Sequence, residues 1–83
     1  MKLFEPFAHE IEIYSSGKNI QFKSIMSIPL CWIKISDPAG KIVFKKIEKD
    51  LTETIIPLNV KDGFYDVTII TKKCFATKMV FLE

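Results

Sequence analysis

Alternating runs of about five to eight residues, each closed by a turn signal, recur along this chain and leave little room for anything but an antiparallel β fold. Ile11 and Ile13 alternate with Glu10, Glu12 and Tyr14. Ser15 to Asn19, centred on Gly17, then turns the chain into a second alternation on Ile20 and Phe22, the pattern of a hairpin. Ser27-Ile28-Pro29 interrupts next, because Pro has no N–H to give a strand ladder. In the third run Cys31, Ile33 and Ile35 face one way and Trp32, Lys34 and Ser36 the other, so one face is core and the other mixed.

Asp37-Pro38-Ala39-Gly40 has the residue order of a type I turn: Asp first to cap, Pro to fix φ, Gly last. Ile42-Val43-Phe44 opens a fourth strand, and the polar Glu48-Lys49-Asp50 separates it from a fifth, Glu53 to Leu58. Asn59 to Gly63 reads as a turn into a sixth, Phe64 to Thr71. The seventh runs from Phe75 to Leu82. No helical period occurs between the runs, and the connections are too short for parallel crossovers.

The expectation is one all-β domain over residues 1–83, a seven-stranded antiparallel β-sandwich of the fibronectin type III or immunoglobulin kind. Lettered A, B, C, C′, E, F and G, its strands would form an A-B-E sheet against C′-C-F-G. Composition agrees: the apolar 48 % is weighted towards Ile, Phe and Val, which fit a pleated surface, and Ala is confined to Ala8, Ala39 and Ala76.

All 12 basic residues are Lys, within a net charge of +2. Without Arg the chain lacks the planar fork that grips phosphate and guanine edges, so no nucleic-acid partner is expected. Lysines of this kind guard sheet edges. The longest apolar stretch, Ile25 to Ile35, carries Ser27, Pro29 and Lys34, so no transmembrane segment is expected. Met1 to Glu12 holds Glu5, Glu10 and Glu12 and lacks the apolar core of a signal peptide.

The same residues argue against catalysis. His9 is the only histidine, and on a strand it points away from Glu10 and Glu12, so the trio does not converge on a metal or a proton. Asp37 and Asp62 sit where turns need them, and Asp66 sits in a strand. Gly17, Gly40 and Gly63 are isolated, which excludes a phosphate loop. No catalytic residue, metal site or cofactor is expected.

Cys31 starts strand C and Cys74 follows strand F, which places both at one pole of the expected fold. There they form either one bridge or two thiols. Met26, Pro29, Lys49, Lys72 and Lys73 gather at that pole, and loops clustered at one end of a sandwich are where binding sites are usually grafted. This pole is the expected binding end.

Several of these segments together resemble a known group. Ile33 and Ile35, then Asp37-x-x-Gly40-Lys41-Ile42-Val43, then Ile56-Pro57-Leu58, then Gly63-Phe64-Tyr65, and finally Lys78 are similar to the small β-sandwich modules of secreted Bacteroidetes proteins. Two members of that set fit. One is a family of short stand-alone secreted proteins of Bacteroides, and the other is the C-terminal sorting domain of type IX secretion cargo. The resemblance implies a non-enzymatic protein, secreted or at the cell surface. The expected partner is a protein or a cell-surface component. An intracellular interaction domain is the remaining alternative.

Overall fold

A computed structural model describes residues 11–72 and 75–83. They form five antiparallel strands: β1 (Ile11–Ser16), β2 (Asn19–Ser36), β3 (Ile42–Pro57), β4 (Gly63–Ile70) and β5 (Phe75–Leu82). No helix occurs among the described residues, and so none that could cross a membrane. The strands belong to one sheet, ordered β1-β2-β4-β5, with β3 paired to β2.

Five strands stand where seven were expected, because two of the expected breaks are bends. Expected strands B and C are one strand, β2, and C′ and E are one strand, β3. Lys23 pairs with Glu53 and Ile28 with Leu51, so Ser24 to Ser27 of β2 face only Thr52 of β3. Such a bulge bends the ribbon without ending it. Ser24 is buried there, its hydroxyl donating to the Met26 carbonyl. Pro29 falls between the pairs Ile28–Leu51 and Leu30–Lys49. On the facing strand Asp50 takes a φ of 52°, a left-handed conformation that Asp tolerates better than most residues. The polar stretch Glu48 to Asp50 stays within the strand, and among the described residues β3 pairs only with β2, so that polar side chains are tolerated at its other edge.

The strand neighbours are nonetheless those of the expected order, within one sheet where two were expected. β1 and the end of β3 flank the first half of β2, while the start of β3 and β4 flank its second half, with β5 outside β4. The bend turns the apolar faces of the two halves towards one core. Ile11, Ile13, Ile20, Phe22 and Ile56 come from one half, and Cys31, Ile33, Ile35, Tyr65, Val67, Ile69, Val80 and Leu82 from the other. Burying one such Ile or Phe contributes about 1.5 to 3 kcal/mol. The strict alternation of Cys31, Ile33 and Ile35, all 0 % exposed, shows why a one-residue slip of β2 is forbidden.

β1 and β5 draw the curl together without a strand ladder. The Ser15 hydroxyl donates to the Phe81 carbonyl (2.9 Å), the Lys78 ammonium to the Ile13 carbonyl, and the Glu83 N–H to the Gly17 carbonyl (3.2 Å). Gly17, at φ 62°, opens the two-residue turn between Ser16 and Asn19 that starts the β1–β2 hairpin.

The turn from Asp37 to Gly40 forms as its sequence demands. Gly40 N–H donates to the Asp37 carbonyl (2.9 Å), and the Asp37 carboxylate accepts from Ala39 N–H (3.0 Å) and Lys41 N–H (2.9 Å). Removing the carboxylate leaves two N–H groups to solvent. Asp37→Ala should therefore lower stability by about 1 to 2 kcal/mol in urea unfolding. An unchanged midpoint would mean that the turn holds without its cap.

Candidate functional site

Alternation sends every second side chain of β2, β3, β4 and β5 away from the core, and the register aligns those side chains into rows. Ile47 pairs with Trp32, Trp32 with Ile70, and Ile70 with Phe75. These four large apolar side chains cross the sheet in one line, and they are 57 %, 38 %, 37 % and 50 % exposed. The next row holds Lys45, Lys34, Thr68 and Thr77, with the two threonine hydroxyls 3.0 Å apart. Beyond it lie Ile42, Ser36, Asp66 and Met79, and then Phe64 against Phe81, edge to face with ring centroids 5.0 Å apart.

Of the 12 large hydrophobic side chains that are exposed among the described residues, eight lie on this face: Trp32, Ile42, Ile47, Phe64, Ile70, Phe75, Met79 and Phe81. Scattered exposed apolar residues need no explanation, but a contiguous set on one face does. A groove of about 640 Å³ runs along it, lined by Trp32, Lys34, Ile42, Lys45, Ile47 and Ile70 among others.

Lys34 and Lys45 stand directly opposite one another, an arrangement that costs free energy through like-charge repulsion. Neither has a carboxylate partner among the described residues, where the ion pairs are Lys18–Asp62 (3.2 Å) and Lys46–Glu48 (3.2 Å). Asp66 is the single carboxylate in the rows of this face, one cross-strand position from Ser36. The face therefore presents two apolar bands with a cationic band between them.

The expected binding pole lies at one end of the same half of the sheet. Leu30 pairs with Lys49, which puts Pro29 beside Lys49; Lys72 follows the end of β4, and Met26 is 62 % exposed in the bulge. Met26, Pro29 and Lys49 sit on bends of continuous strands and not on loops, whereas Lys72 lies in the connection after β4. Lys73, Cys74 and His9 lie outside the described residues. Among the described residues no three His, Cys, Asp or Glu side chains gather as a metal site would need.

Cys31 is a free thiol at 0 % exposure, and its suggested partner Cys74 is one of the residues not described. Burial, reinforced by the charge of Glu48 opposite it on β3, pushes the thiol pKa above its ordinary value of 9.0. A raised pKa means that the stability this group lends is full below that value and is lost as pH rises through it, since the unfolded chain releases the proton first. The stability difference between wild type and Cys31→Val should therefore be flat at neutral pH and shrink above about pH 9. A difference that stays constant to about pH 10.5 would contradict the burial of this thiol.

Alternation alone marks the core face and leaves the other as mixed, so it does not single out the outer face. A signal was present: Phe64 and Ile70 on β4, and Phe75, Met79 and Phe81 on β5, are apolar at positions opposite in parity to the core set. The chain matches no protein-family model and no curated protein.

Proposed function

We propose that this chain is a non-enzymatic binding module of the β-sandwich kind, fibronectin type III or immunoglobulin-like, that docks a protein partner on the outer face of β3-β2-β4-β5. The observation that carries the reading is the concentration on that face of eight of the 12 exposed large hydrophobic side chains among the described residues. Trp and Phe held on rigid strands bury large area at little entropic cost, the property that makes such residues anchors in interfaces.

Two features favour the sandwich. The pairings fall into a β1-β2-β3 set and a β3-β2-β4-β5 set joined at the bend. Near the start of β4 the buried Tyr65 hydroxyl donates to the Lys61 carbonyl four residues upstream (2.7 Å), the arrangement of the tyrosine corner of sandwich folds. A secreted or cell-surface setting follows from the resemblance to secreted Bacteroidetes modules.

The test is selection of a random dodecapeptide display library against the folded protein, with the same selection against the double variant Trp32→Ala/Ile70→Ser. The reading expects peptides that bind the wild type and lose the double variant. Peptides that bind both equally, or no enrichment at all, would refute it.

A further inference from the structure

We infer that the partner segment of this face is acidic as well as apolar: it carries carboxylates that sit over Lys34 and Lys45, with large apolar side chains to either side. The inference rests on the binding reading above and adds the chemistry of the partner.

The argument is charge complementarity within a fixed geometry. Lys34 and Lys45 occupy one row, between the apolar row Ile47, Trp32, Ile70 and Phe75 and the apolar side chains Ile42, Met79, Phe64 and Phe81 beyond it. Anything that covers both apolar bands also covers the two ammonium groups. A covered charge is strongly unfavourable unless it is paired. The protein supplies no partner for either lysine among the described residues, so the covering molecule must. Opposed residues on neighbouring strands have Cβ atoms about 5 Å apart, so two carboxylates close together on the partner satisfy both charges and relieve their mutual repulsion.

The other occupants fit less well. A second copy of the chain brings one carboxylate in these rows, Asp66, against the pair Lys34 and Lys45, and adds two further ammonium groups to the interface. A lipid surface that took up both apolar bands would draw the central lysines towards hydrocarbon, where a charge is costly. A purely apolar segment leaves both charges covered and unpaired.

The probe is the same dodecapeptide library, read this time by composition and by charge-reversed protein. The enriched peptides are expected to be rich in Asp or Glu together with Leu, Phe, Ile or Trp. Their affinity should fall at least about tenfold on the double variant Lys34→Glu/Lys45→Glu and at high salt, while their basic analogues gain affinity for that variant. The variant removes a like-charge pair only by substituting another, at the exposed Lys45 and the partly buried Lys34, and circular dichroism and the urea midpoint verify that it folds. Enriched peptides that are apolar but not acidic, and are indifferent to the charge reversal, overturn the inference while leaving the face a binding site, provided they still lose Trp32→Ala/Ile70→Ser. Binding to phosphatidylglycerol vesicles in place of any peptide assigns the face to a membrane and overturns the inference. Concentration-dependent dimerisation that Trp32→Ala/Ile70→Ser abolishes assigns it to a second copy, with the same consequence.

Discussion

Phe22→Ala should destabilise the fold by about 3 to 5 kcal/mol, the range for removing a fully buried aromatic side chain from a packed core. Phe22 is 0 % exposed and heads the fully buried side chains by volume. It is positioned by Ile13 of β1 on one side and Thr54 of β3 on the other, in the half of the sheet formed, among the described residues, by β1, part of β2 and part of β3. A domain of 83 residues has about 4 to 12 kcal/mol of total stability, so the variant should be largely unfolded or have a strongly lowered urea midpoint. The control is Ile25→Ala in the same strand. Ile25 is 86 % exposed in the bulge, and its truncation should change stability by no more than about 0.5 kcal/mol. Equal effects at the two positions would mean that the core has been placed on the wrong side of β2.

The second large effect belongs to the outer face and concerns binding, not folding. Trp32 and Ile70 are cross-strand partners in the middle of the apolar row, with Ile47 and Phe75 at its ends. Anchors at the centre of an interface carry most of its energy, so Trp32→Ala/Ile70→Ser should weaken selected peptides by at least about tenfold. The same pair should cost the fold only about 1 to 2 kcal/mol, because both side chains are more than a third exposed and lose mainly a cross-strand contact. The separation of the two effects is the informative part. A variant that lost binding and stability together would leave the face a structural surface.

Much of the architecture was legible in residue order. The period-two pattern of Ile11 and Ile13, Ile20 and Phe22, and Cys31, Ile33 and Ile35 marks half of the buried core, since burial on a strand follows parity. Gly17 and the Asp37 to Gly40 turn were equally plain, because their backbone demands are local. The number of strands was not. Pro29 and the run Glu48 to Asp50 are the residue types that end strands, yet here they lie just beyond the bulge at Ser24 to Ser27, and the β2–β3 ladder runs on through them in the pairs Ile28–Leu51, Leu30–Lys49 and Cys31–Glu48. Whether such residues break a strand or bend it depends on the partner strand opposite, and this is not local information.

The candidate site was less legible for a related reason. The lysine-bearing bends drew attention as loops, whereas the outer face exists only once four strands are in register. Ile47, Trp32, Ile70 and Phe75 are far apart in the chain, and each alone reads as an unremarkable exposed residue. The register makes them a row.

Trp32 is the single tryptophan of the chain and lies in that row, so it reports on the central claim without a label. The decisive measurement is its fluorescence emission during titration with a tryptophan-free peptide selected on the wild-type protein. If the outer face of β3-β2-β4-β5 is the binding surface, the half-exposed indole is covered and its emission maximum moves to the blue in step with binding. Saturation of the protein, established independently by calorimetry, with no change in Trp32 emission would contradict the account.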